Sequence, residues 1–129
     1  MTTTNSAPIL FVIEQESFLA RIICRGLKRA GFEVHHFALP ERALEQIKEQ
    51  APDYVLVSTD LYPMSGEEFC RRLQTEHSDR VFPVLVMTDS AQDMYTRWSH
   101  WFANFRMVDK PISLRAIIEY IEKNQEQAA

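Results

Sequence analysis

Residues 52–66 read Pro-Asp-Tyr-Val-Leu-Val-Ser-Thr-Asp-Leu-Tyr-Pro-Met-Ser-Gly. The apolar run 54–57 stops abruptly at Ser58, and hydroxyl and acidic residues follow before Pro63 and Gly66. A short apolar run bounded in this way reads as a fully buried strand whose C-terminal end lies just after Val57. In open parallel sheets, ligands and chemistry sit at that end. Ser58 is therefore expected to face the site, and what a hydroxyl can do there governs the functional reading.

On the N-terminal side, residues 9–13 (Ile-Leu-Phe-Val-Ile) form a second continuous apolar run, the mark of a central strand, and Glu14-Gln15-Glu16 end it. Ser17 reads as the cap of a helix with Phe18, Leu19, Ile22, Ile23, Leu27 and Ala30 at helical spacing, and Gly31 as its stop. Residues 32–37 alternate as a strand. Pro40 suits the first turn of a helix whose apolar stripe includes Leu44 and Ile47.

On the C-terminal side, a helix is expected over 67–75 with Phe69, Cys70 and Leu73 inward. A strand over 82–88 should carry Pro83 at its start, where a missing N–H is tolerated. A helix follows over 90–102 and a short strand over 105–108. Ser113 caps a last helix with Leu114, Ile117, Ile118 and Ile121 inward. Five strands alternating with five helices imply an α/β domain, a doubly wound five-stranded parallel sheet with helices on both faces. Residues 1–7 read as a disordered tail, 8–123 as the domain, and 124–129 as a polar tail or the start of a linker.

Composition narrows the function classes. A chain of 129 residues is one domain by the usual prior. Its 46% hydrophobic and 25% charged residues exclude disordered and collagen-like classes. A net charge of −4 without a lysine-arginine run argues against nucleic-acid binding by electrostatics alone. The first residues lack the pattern of a signal peptide, and no apolar run is long enough to span a membrane, so a cytoplasmic setting is expected. Cys24 and Cys70 read as two reduced thiols, and the four histidines share no metal-binding spacing with each other or with cysteine.

With the strands and their end residues placed, the chain resembles the receiver domains of two-component response regulators over 8–123, which implies a flavodoxin-like three-layer sandwich. Family members carry an acidic pair after the first strand, a phosphoacceptor aspartate ending the third, Thr or Ser ending the fourth, and Lys-Pro after the fifth. Glu14-Gln15, Ser58, Thr88 and Lys110-Pro111 hold those positions here, and Gly66 stands where the family ends its loop. The resemblance implies a signalling module in a phosphorelay, not an enzyme.

The departures decide more than the matches. In the family, the aspartate forms an acyl phosphate, and magnesium held by the acidic pair, the aspartate and a backbone carbonyl neutralises developing charge. Ser58 is a poor nucleophile without an adjacent base, and its phosphoester would be stable rather than labile. Ser58 and Gln15 offer a hard cation only neutral oxygens, leaving Glu14 and Asp60 as weak candidate ligands, so no cofactor is expected and magnesium would be poorly held. Met107 stands at the family's aromatic switch position, and Tyr62-Pro63 replaces the usual Pro-Gly.

The leading reading is a pseudo-receiver that works through protein–protein contact without aspartyl phosphorylation. Lys110 should then turn to Glu14 or Asp60 for its counter-charge, and Thr88 should serve a backbone group at its strand end. The alternative is a working receiver phosphorylated at Asp60, two residues past Ser58. A flavodoxin-like nucleotide or flavin binder is the poorest fit, because the charges of Glu14 and Glu16 would repel phosphate.

The helix over 90–102 carries Met94, Tyr95, Trp98, Trp101 and Phe102 within an arc of about 120°, wide enough for a core stripe. The resemblance instead turns Tyr95, Ser99 and Phe102 inward. Met94, Trp98 and Trp101, with Met107, would then face the side shared by the fourth helix, the fifth strand and the fifth helix, which receivers use to dimerise or meet partners. Trp98 or Trp101 is accordingly expected to be exposed.

Overall fold

The computed structural model describes residues 7–110 and 112–128; Pro111, residues 1–6 of the expected tail and Ala129 lie outside the described residues. The chain alternates β1 (Ile9–Ile13), α1 (Ser17–Arg29), β2 (Glu33–Phe37), α2 (Pro40–Glu49), β3 (Tyr54–Ser58), α3 (Gly66–Glu76), β4 (Val84–Thr88), α4 (Ala91–Ser99), β5 (Phe105–Asp109) and α5 (Leu114–Ala128). All strand pairs are parallel, in the order β2-β1-β3-β4-β5. The doubly wound α/β reading is therefore correct.

Two apolar layers sandwich the sheet. Ile23 and Leu27 of α1 and Ile117 and Ile121 of α5 pack on one face with Leu10, Val12 and Leu56. On the other face, Leu44 of α2, Phe69 of α3 and Trp98 of α4 pack with Phe11, Val55 and Val86. β1, β3 and β4 have helices on both sides, which is why their sequences are unbroken apolar runs. The edge strands β2 and β5 mix half-buried and exposed positions, so polar residues interrupt them.

Local chemistry sets most element ends. Pro40 stands at the N-terminus of α2, where its missing N–H has no helical partner to lose. Gly31, just past α1, adopts φ +101, a conformation that side chains rarely take. Ser113 Oγ accepts from Ala116 N–H at 3.0 Å and caps α5 as expected. Pro83 sits immediately before β4, and its carbonyl accepts from Val55 N–H at 3.0 Å. The last helix continues through Ala128, past the point at which its apolar stripe stops.

Two ends differ from expectation. Ser17 is the first residue of α1, and the cap is Glu16, whose carboxylate accepts from Phe18 N–H at 3.1 Å and Leu19 N–H at 2.8 Å. A charged acceptor that reaches two unpaired N–H groups at the positive helix end outcompetes a single hydroxyl. Helix α4 closes at Ser99 instead of running to Phe102. Its last turn is followed by Trp101 N–H and Phe102 N–H both bonding to the Trp98 carbonyl, at 2.9 and 3.0 Å.

Candidate functional site

The strand order reverses between β1 and β3, and the crevice outside their C-terminal ends is where this architecture places ligands. Ile13 pairs with Val57, so Glu14 and Ser58 follow side by side. Ser58 pairs with Met87 and Thr88 with Asp109, which brings Thr88 and Lys110 to the same rim. Lys110 N–H is tied to the Thr88 carbonyl at 2.7 Å. The loop from β3 then folds back closely onto its own strand. A Cβ on Gly66 would lie 2.2 Å from the Ser58 carbonyl oxygen, so only glycine fits where α3 begins.

Three side chains converge at the centre. The Lys110 ammonium donates to Ser58 Oγ at 2.6 Å and lies 3.1 Å from Glu14 Oε1. That oxygen has no aligned hydrogen bond, so the contact with Lys110 is ionic, while Oε2 accepts from Glu16 N–H at 3.1 Å. Glu14 and Ser58 are buried, and Lys110 reaches them from a nearly buried position. A buried carboxylate without a cation would be costly, and the ammonium offsets that cost while one of its three hydrogens goes to the hydroxyl. The expected pairing of Lys110 with Glu14 is present.

The other expected site residues lie around this centre without joining it. Thr88 Oγ1 accepts from Ser90 N–H at 3.3 Å and donates to Met94 Sδ at 3.2 Å, so it serves a backbone group as anticipated. Gln15 turns the other way: its amide donates to the Tyr62 carbonyl and accepts from Tyr62 N–H at 3.0 Å. It therefore fastens the β1–α1 loop to the β3–α3 loop through neutral groups. Asp60 is exposed and forms no ion pair among the described residues.

A divalent cation does not fit this set. Glu14 already has a cation against it, Ser58 is neutral, and among the described residues no three His, Cys, Asp or Glu side chains gather to hold a metal.

The aromatic helix needs correction. Trp98 is fully buried, its ring 5.0 Å from Phe102 and 6.0 Å from Phe105, in the layer shared with α2 and α3. Met94 and Phe102 pack against the same layer, so the inward stripe is Met94, Trp98 and Phe102 at spacing four. Tyr95 and Ser99, expected inside, are exposed, and Trp98 cannot belong to an exposed interface. Trp101 is 51% exposed, but its ring lies under the Arg71 guanidinium of α3, 4.1 Å from its centroid, away from the α5 side. Met107 is half-buried against the α2–α4 layer.

Several positions carried no signal in the sequence. Glu67 at the start of α3 is buried and receives Arg97 through two nitrogens and Arg71 at 3.3 Å, which joins α3 to α4. The Glu67 carboxylate, by hydrogen bond and charge, holds Arg97 above its ordinary pKa. His36 Nε2–H donates to the Glu14 carbonyl at 2.8 Å and steadies the end of β1.

The model of the response regulator receiver domain matches residues 10–122 of this chain. The chain belongs to the response regulator receiver family. It is 28% identical over 86 residues to the phosphate regulon transcriptional regulatory protein PhoB of Rhizobium meliloti, a match covering 67% of this chain and 38% of that protein. Over 85 residues it is also 28% identical to the transcriptional regulatory protein CreB of Escherichia coli, covering 66% of this chain and 36% of that protein. The receiver thus spans under two-fifths of the length of these curated relatives. Among solved structures, a CheY-like receiver domain from Methanospirillum hungatei superposes with TM-score 0.82 at 16% identity, covering 95% of this chain and 96% of that one. Another from Methylobacillus flagellatus gives 0.79 at 17% identity, covering 92% and 98%. These likenesses show a CheY-like fold, and the family match identifies a receiver domain of two-component signalling. No helix of the described residues is long and apolar enough to cross a membrane.

Proposed function

We propose that this receiver is a pseudo-receiver: a signalling module that meets a protein partner, or a second copy of itself, without passing through an aspartyl phosphate. One observation carries the reading. Lys110, the cation at the site, already lies between the Glu14 carboxylate and the Ser58 hydroxyl. The centre is close to neutral and held together, with no carboxylate at the phosphoacceptor position. Among the described residues no base is hydrogen-bonded to Ser58 Oγ to make it a nucleophile; its partner is the Lys110 ammonium, which donates, and the Glu14 carboxylate is engaged by the same cation.

The contact with a partner is assigned to exposed side chains. Trp101 remains the large exposed aromatic of the expected set, and Tyr95 is the exposed aromatic of α4, its ring 5.4 Å from Phe105. Phosphorylation at Asp60 is the competing reading; among the described residues no cation pairs with that side chain.

A magnesium titration followed by amide NMR tests the reading. The expected result is no saturable shift at Glu14, Gln15 or Ser58. A saturable shift there, with the Lys110 signal moving in parallel as it leaves Glu14, would overturn it.

A further inference from the structure

At the opposite end of the sheet from Ser58 and Lys110, a cleft of about 100 Å³ opens between α3 and the segment joining α4 to β5. Leu73, Phe82, Trp98, Phe102 and Phe105 form its walls. Val84 and Phe105, which open β4 and β5, mark its floor as the N-terminal edge of the sheet. Exposed Gln74, Arg80, Val81, Ala103 and Asn104 stand at the solvent side, and Cys70 completes the lining.

Two independent features point to one class of ligand. The first is size and surface. An engineered apolar cavity of about 150 Å³ encloses a whole benzene ring, so a cleft of about 100 Å³ that is partly open takes a single ring in part, with its outer edge and its substituent in solvent. The second is charge. The Arg80 guanidinium lies 5.1 Å from the Phe82 ring centroid, directly beside the apolar walls. It forms no ion pair among the described residues: neighbouring Asp79 is not bonded to it, and the carboxylates of Glu67 and Glu76 are taken by Arg97, Arg71 and Arg72. A planar guanidinium with its hydrogens unengaged binds a carboxylate in two-pronged fashion.

We propose that the cleft binds a small carboxylate with a single-ring apolar body, the ring between Phe82, Phe102 and Phe105 and the carboxylate on Arg80. This site is separate from the vacated phosphorylation centre and stands whether or not that centre is inactive. Phenylacetate is the probe, titrated into the full chain with amide and indole N–H signals followed by NMR, and phenylacetamide is its neutral twin. The expected result is saturable movement of the Trp98 indole N–H and the Leu73, Phe82 and Phe105 amides, with phenylacetate preferred. Arg80→Gln, an exposed substitution, should weaken phenylacetate about tenfold, the loss of one charge-assisted contact, and leave phenylacetamide unchanged. Absence of saturable movement at those residues would overturn the proposal. So would equal binding of acid and amide by the wild type, or equal weakening of both by Arg80→Gln.

Discussion

The side chain of Gln15 and the backbone of Tyr62 exchange two hydrogen bonds across the mouth of the site at the C-terminal ends of β1 and β3. An amide can donate and accept at once, whereas a carboxylate at the same place could only accept and would face the Tyr62 carbonyl with a negative charge. Gln15, which has only a neutral oxygen to offer a cation, is thus the residue that closes the two loops on each other. Gln15→Ala removes both bonds and should cost about 1 kcal/mol and speed hydrogen exchange at the Tyr62 amide. Unchanged exchange at Tyr62 would show that the pairing holds nothing.

The Lys110–Glu14 contact predicts an asymmetry. Lys110→Met removes the cation and leaves a buried carboxylate, which should cost about 3 kcal/mol in urea unfolding. Adding Glu14→Gln should recover more than half of that loss, because the neutral amide still accepts from Glu16 N–H. Additive losses in the double variant would mean that the two residues do not act as a pair.

The two tryptophans should behave oppositely. Trp98→Ala removes a fully buried indole and is expected to cost about 3–5 kcal/mol. Trp101→Ala gives up a surface stacking contact with Arg71 and should cost under about 1 kcal/mol. Trp101→Ala should fold normally yet lose self-association or partner capture, read by light scattering and affinity capture. Wild-type behaviour in both would remove Trp101 from the interface.

How far the sequence could be read depended on the range of the interactions. The strand ending at Ser58, the proline opening α2, the glycine after α1 and the Ser113 cap are set by neighbours in the chain and were legible. The cap of α1 was misplaced by one residue because glutamate is not among the preferred capping residues, and only the geometry shows its carboxylate reaching two N–H groups. The rotation of α4 was not legible. Five large apolar residues fill one broad arc, and packing against Phe102 and Phe105 turns Trp98 inward and leaves Tyr95 out. At the site, the Lys110–Glu14 pair followed from charge balance at the strand ends. The Gln15–Tyr62 pairing joins residues 47 positions apart and depends on the course of a loop.

Alkaline pH should reveal the buried phenol of Tyr120. Burial, then the neighbouring Tyr54, pushes the Tyr120 phenol up from its ordinary 10 to about 12, and its hydroxyl makes no well-formed hydrogen bond among the described residues. The unfolded chain therefore releases this proton first, and stability should fall as pH rises from 10 toward 12. Tyr120→Phe should flatten part of that decline and be neutral or stabilising at neutral pH, since it removes a buried hydroxyl that lacks a well-formed hydrogen bond among the described residues. Tyr54, whose phenol burial also raises, should keep the remaining slope. An unchanged decline in Tyr120→Phe would contradict the assignment.

No labile phosphoryl group is expected to form on this receiver. Intact-mass measurement after incubation with acetyl phosphate and magnesium, before and after hydroxylamine, tests it most directly. The unmodified mass is expected in both samples, because Ser58 is neutral and held by Lys110. A hydroxylamine-sensitive phosphoryl adduct, mapped to Asp60, would contradict it and establish a displaced acceptor in its place.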